Sequence, residues 1–203
     1  MTKQEYIQKE LKRWELEIFK DHIAELKPVS TSDPRFTPPM LILWRKPEHW
    51  NHACYYTIFS QWVMCCGDLF EAQYQWSENV TPRFLAGIDF GYFMSKMRAS
   101  PEGRKWETWN EEVAKEFMAA EIKEFAGESS SQFRMRDILT VNDYSQEAIQ
   151  IVAGMAYDET GDSEHASSIH CAGLVPDAMS IGQFVGLQMA LRQIMNPQST
   201  ITK

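Results

Sequence analysis

Ile7, Leu11, Trp14, Ile18 and His22 recur at three- and four-residue steps between Lys and Glu, the spacing that lines up side chains on one face of a helix. This predicts an amphipathic N-terminal helix within 1–27, stopped by Pro28, whose ring removes a backbone donor and clashes with a continuing helix. Pro28 to Pro39 mixes Pro, Ser, Thr and Asp and reads as a surface connector. The period then changes. Met40-Leu41-Ile42-Leu43-Trp44 is an apolar run short enough for a buried strand, and Cys54 to Ser60 and Trp62 to Cys66 are rich in Tyr, Thr, Ile, Phe, Trp and Val, which suit a pleated surface. Gly67-Asp68 supplies a turn. Phe70, Ala72, Tyr74 and Trp76 then alternate with Glu71, Gln73 and Gln75, the pattern of a strand with one polar face. The expectation is a small antiparallel sheet of three or four strands within 40–76.

From 81 to 195 the pattern is mainly helical. Thr81-Pro82 is a cap followed by the proline that a first helical position tolerates, and a helix is predicted from Phe84 to Met97. In it Gly87, Gly91, Ser95 and Ala99 recur every fourth residue, as Gly182, Gly186 and Ala190 do in the last helix. Such ridges allow close backbone approach, in internal packing or along a dimer seam. Trp106, Trp109, Val113, Phe117 and Ala120 form the stripe of a helix reaching about Phe125, Phe133 to Thr140 suits a strand or short helix, and Asp143 is placed to cap a helix through Ala156. Tyr157 to Ser168 is almost wholly polar and reads as a long exposed loop. Ser180 and Gln183 have capping-box spacing for a closing helix from Ile181 to Met195, and 196–203 frays after Asn196-Pro197. The fold class is α+β: one domain over 1–203, in which the N-terminal helix and four or five C-terminal helices pack on the sheet.

The formal charge of −8 repels phosphate backbones, which argues against direct nucleic-acid binding and for a basic partner. The charge is unevenly placed. Residues 106–128 hold seven Glu and two Lys, and 137–164 hold seven Asp or Glu with no Lys or Arg. One reading is a solvated face. The other is a surface complementary to a basic protein, carried by Glu107, Glu111, Glu112, Glu116, Asp158, Glu159, Asp162 and Glu164, with Trp44, Trp50 and Trp62 available as anchors. The four Cys lack the spacing of a disulfide framework, and no apolar stretch suits a signal or a membrane span, so the expected setting is a reducing cytoplasm without a membrane partner.

Two constellations suggest chemistry. His49, His52, Asp68, Glu71 and Asp89 are the residue types of a metal-assisted hydrolase or nuclease, but their spacing fits no ligand set and turn or surface roles account for them. A thiol site is the second, from Cys65 or Cys66 with His52, or from Cys171 beside His170. It requires an acidic thiol within reach of an imidazole. Adjacent Cys65 and Cys66 point to opposite faces if they lie on a strand, and buried packing is the simpler reading. The chain lacks the phosphate-binding, dinucleotide, serine-hydrolase, zinc-protease and Cys-x-x-Cys patterns. No catalytic residue, metal or cofactor is assigned.

Gly67-Asp68-Leu69-Phe70-Glu71-Ala72-Gln73-Tyr74-Gln75-Trp76, followed by Phe84 to Phe93 and Ser95-Lys96, resembles a group of bacteriophage- and prophage-encoded proteins with a Gly-Asp-x-x-Glu-Ala-x-Tyr-x-Trp core. The likeness spans roughly residues 54–104 and, weakly, Gly182 to Leu191. The group has no agreed catalytic residues, so none is carried over. The resemblance implies a small phage product in the host cytoplasm, similar to anti-CRISPR and other counter-defence proteins. The expected function is therefore an acidic accessory protein that binds and inhibits a host protein, foremost a CRISPR-type or other nucleic-acid-binding defence complex, by occupying a basic surface. The alternatives are a metal- or thiol-dependent hydrolase or nuclease of phage origin, and a self-associating virion or replication accessory protein.

Overall fold

The N-terminal apolar spacing does form a helix, α1 (Lys3–Arg13), but it stops well short of Lys27. In the computed structural model, which describes residues 1–30, 38–99, 107–125 and 130–197, a reciprocal capping box opens α1. Thr2 Oγ1 accepts from the Glu5 N–H and Glu5 carboxylate accepts from the Thr2 N–H. A π-helical turn (Trp14–Ile18) follows, closed by a bond from Phe19 N–H to the Trp14 carbonyl. The chain then turns into a strand, β1 (Ile23–Lys27). Ladder pairing of Ile23 to Lys27 with Arg45 to Leu41 outweighs the helical pattern of this segment. Residues 31–37 of the connector, Trp106, and the tail from 198 lie outside the described residues.

The chain groups into two compact units, one of Met1–Lys9 with Glu107–Pro176 and one of Glu10–Trp106 with Asp177–Lys203. The second, the sheet unit, holds β1, β2 (Met40–Arg45), β3 (Cys54–Phe59), β4 (Trp62–Gly67), β5 (Ala72–Gln75) and β6 (Met97–Ala99) as an antiparallel meander in chain order. The architecture is α+β, as the sequence predicts, with six strands where three or four were expected. The two additional strands, β1 and β6, lie on the edges, inside segments with helical spacing. Ile42, Tyr56, Cys65 and Ala72 face one another across the ladder and are buried.

Thr81 caps α2 (Pro82–Leu85) and Asp89 caps α3 (Phe90–Met94), each side chain accepting from a backbone N–H three residues on. The helix expected from Phe84 to Met97 is thus two short helices, broken where Gly87 weakens helix formation and Asp89 starts a new turn. The ridge from Gly87 to Ala99 does not form.

The last helix, α8 (Ala178–Met195), is buried over eleven of its eighteen residues. Asp177 caps it through the Met179 N–H, so the expected capping box of Ser180 and Gln183 is not used. Both residues lie fully inside. The small-residue ridge here serves internal packing: a Cβ on Gly182 would meet the Trp14 ring at 2.9 Å, and one on Gly186 the Tyr56 hydroxyl at 2.4 Å. Three glutamines hold irregular backbone to α8. Gln183 Nε2 donates to the Leu69 and Phe70 carbonyls, Gln188 Nε2 to that of Leu85, and Gln193 Nε2 to that of His22 while its Oε1 accepts from the Ala24 N–H.

The helical unit contains a two-stranded ladder of β7 (Glu107–Trp109) and β8 (Leu174–Pro176) and the helices α4 (Glu111–Glu124), α5 (Ser130–Leu139), α6 (Gln146–Thr160) and α7 (Ser163–His170). Trp109, expected on a helix face, lies on β7. Its ring covers Gly173, where a Cβ would meet it at 2.6 Å, and its Nε1 donates to the Tyr144 carbonyl at 2.8 Å. Ser145, rather than Asp143, caps α6; Asp143 accepts from the Ser145 N–H instead. The loop expected over Tyr157 to Ser168 is the end of α6, a left-handed Gly161, and α7. Its polar composition conceals a helix that buries little beyond Ile169. The core of this unit joins Met118, Met135, Leu139, Ile149, Val152, Ala156 and Ile169. Among the described residues seven helices follow the sheet's fifth strand, against the four or five expected, and none is long and apolar enough to cross a membrane.

Candidate functional site

The division into units sharpens the charge map. The helical unit carries fifteen Asp and Glu against six Lys and Arg, a net of −9, which leaves the sheet unit at +1. All eight predicted partner-binding residues fall in the helical unit, but they do not form one patch. Asn110, the cap of α4, donates its N–H to the Gly173 carbonyl at 2.8 Å, so α4 begins where α7 has just ended. Toward the other end Glu121 meets His165 Nε2 at 2.7 Å. Glu111 and Glu112 therefore lie at one end of α4, and Asp158, Glu159, Asp162 and Glu164 gather near the other, roughly 15 Å away at 1.5 Å per residue.

Their local roles differ. Glu107 pairs with Lys3 at 3.6 Å, Glu116 with the Met1 amino group at 3.6 Å, and Glu159 with Arg134 at 3.7 Å. Asp162 is the N-cap of α7, accepting from the Glu164 and His165 N–H groups. Among the described residues Glu111, Glu112, Asp158 and Glu164 make no ion pair, and all four are exposed. Glu111, Glu112 and Glu164 stand in first helical turns, where the helix dipole favours an anion. Asp158 stands in the last turn of α6, where the dipole disfavours one.

The residue types weighed as a metal constellation are dispersed. His49 sits in the β2–β3 loop, His52 has a left-handed backbone and packs edge-on to Trp14, Asp68 occupies the turn after β4, and Asp89 caps α3. Among the described residues no three His, Cys, Asp or Glu side chains converge as a cation site. For the thiols, Cys65 is buried and Cys66 exposed, on opposite faces of β4 as their adjacency predicts. Burial pushes the Cys65 thiol well up and Cys54 up to about 12, while burial and nearby Glu71 also raise Cys66. These shifts oppose thiolate formation. Cys171 is exposed and ends α7 just after His170. It lies on a mostly apolar cleft of about 330 Å³ with Val113, Phe117, Ala120 and Ala172, to which Thr2, Lys3 and Glu116 contribute. Of the proposed anchors, Trp44 is wholly buried, Trp62 half-buried, and Trp50 exposed beneath the Arg45 guanidinium at 5.0 Å.

His22 escaped the sequence reading as anything but a helix-face residue. It is buried between Phe19 and Trp44. Burial lowers its pKa to about 4, the Asn51 carbonyl offsetting part of the fall, and nearby His52 and Lys46 adding to it. Among the described residues no group meets either ring nitrogen at full hydrogen-bond geometry, the Asn51 carbonyl included. Because the folded pKa lies below the unfolded value of 6.5, the unfolded chain takes up the proton first. Stability from neutral His22 is full above pH 6.5 and is lost as pH falls toward 4. Between pH 7.5 and 5 the loss should be about 2 kcal/mol, and urea midpoints of His22→Phe should show it flattened.

Comparison with known protein families, with curated proteins and with solved structures finds no match.

Proposed function

We propose that this is a phage-encoded binding protein without catalytic activity, acting in the cytoplasm of its bacterial host. It inhibits a host protein, foremost a CRISPR-type or other nucleic-acid-binding defence complex, by covering a basic surface with its helical unit. The observation that carries this reading is the −9 of the helical unit beside the +1 of the sheet unit. A field so divided orients the molecule on a cationic surface and raises the rate of encounter more than it raises affinity. The exposed acids without ion pairs among the described residues, Glu111, Glu112, Asp158 and Glu164, are the groups available to a partner's Lys and Arg. The self-association reading loses its seam in α8, because Gly182 and Gly186 are filled by Trp14, Trp44 and Tyr56 of the same chain.

The test is a pull-down from bacterial lysate, with mass spectrometry, at low and at high salt. A basic complex should be retained at low salt and released at high salt, since exposed charge pairs are screened within a Debye length of about 10 Å at 0.1 M. The variant Glu111→Gln, Glu112→Gln, Asp158→Asn, Glu164→Gln should lose it at both. Retention that ignores salt and this variant sinks the reading.

A further inference from the structure

The outward face of α6 is apolar where the rest of the helical unit is acidic. Ile149, Val152, Ala153 and Ala156 turn inward, yet Ile151 and Met155 are 65% and 48% exposed. At 100° per residue these two share a face with Asp158, flanked by Glu147 and Gly154. Gly154 sits in the middle of a fifteen-residue helix. A Cβ there would meet nothing within 4 Å, so no packing among the described residues requires glycine, although glycine weakens a helix interior relative to alanine. Asp158 likewise opposes the helix dipole. Three choices on one face thus work against the isolated molecule: exposed apolar area, a glycine with open space above it, and an anion in the last turn.

We propose that this face is a docking site for a basic amphipathic helix of a partner protein, whose apolar stripe covers Ile151 and Met155. Its backbone comes close over Gly154, and its Lys or Arg side chains reach Glu147 and Asp158. Charge selects this occupant over a second copy of the chain: α6 contains no Lys or Arg, so pairing α6 with itself would set carboxylates against carboxylates. The proposal rests on the reading that the helical unit receives a basic partner, and it names where and by what shape of ligand.

The probe is a labelled amphipathic peptide of Leu and Lys at helical spacing, with a Leu and Glu peptide of the same pattern as control. The Lys peptide should bind the full chain saturably and become helical, and the Glu peptide should not bind. Ile151→Ser with Met155→Ser should weaken binding at least tenfold, while Leu16→Ser, an equally exposed apolar position on the sheet unit, should leave it unchanged. Gly154→Ala should weaken binding while raising the thermal midpoint by about 2–4 °C, which separates lost contact from lost folding. Equal binding by the Ile151 and Met155 variant, or concentration-dependent dimerisation abolished by that variant, overturns the proposal. If salt-sensitive capture from lysate persists in the Ile151 and Met155 variant, this docking site fails and the broader acidic-surface reading stands.

Discussion

Gln183→Leu is expected to destabilise the protein by about 4 kcal/mol, as read from urea unfolding at neutral pH. The wild-type amide is fully buried and uses both ends: Oε1 accepts from the Tyr74 hydroxyl at 2.8 Å, and Nε2 donates to the carbonyls of Leu69 and Phe70 at 3.1 and 2.8 Å. Leucine fills similar space but leaves the buried Tyr74 hydroxyl and the Leu69 carbonyl without the amide that satisfies them and removes one bond to the Phe70 carbonyl, at about 1–3 kcal/mol for each unsatisfied group. It also releases Phe70, an aromatic residue held at φ 74° in a region that bulky side chains rarely adopt. Adding Tyr74→Phe should recover part of the loss, because one orphaned hydroxyl is then removed. A double variant as unstable as the sum of the two singles would show that the glutamine does not act through this network.

Gly67→Ala should cost a comparable amount, about 4 kcal/mol, from two sources that add at one atom. Gly67 has φ 131°, and a Cβ there would lie 2.3 Å from the Ala53 carbonyl oxygen. That same oxygen accepts from the Asp68 N–H at 2.9 Å, so backing away from the methyl group breaks the bond that closes the turn. Alanine cannot relieve one strain without increasing the other. A fall in the chemical denaturation midpoint equivalent to less than about 1 kcal/mol would mean the turn deforms easily.

These two residues show what the sequence carries and what it hides. Gly67-Asp68 is readable as a turn because glycine before aspartate, between apolar runs, has a local mechanism. The strands around it are readable because Tyr, Val, Ile and Trp alternate over a short span. Gln183 is not readable, since glutamine is ordinarily a surface residue and its partners lie 109 to 114 positions away. The edge strands β1 and β6 fail for the same reason: each is short, and its pairing is chosen by a neighbour rather than by its own pattern. In the helical unit α7 is hidden by its polarity, having one buried residue to announce it. The excess of acid in this unit was legible as a count, but not that helix caps, Lys3, Arg134 and the Met1 amino group take up half of the eight residues. The α6 face was not legible either. Ile151 reads as one more core residue until the direction of its side chain is known.

The order of the segments has a bearing on how the protein is made. All of the helical unit except Met1–Lys9 is spliced into the sheet unit between β6 and α8, so the polypeptide that covers the sheet is synthesised about eighty residues after the sheet's last strand. Until α8 arrives, Tyr56 and Tyr74 have no carbonyl or amide for their hydroxyls, and the apolar face of the meander is open to water and to other chains. The nascent sheet is therefore an aggregation hazard of the kind that slow, long-range contacts create. A chain truncated within 107–176 would carry its strands complete, its acidic part unfinished and its sheet still uncovered.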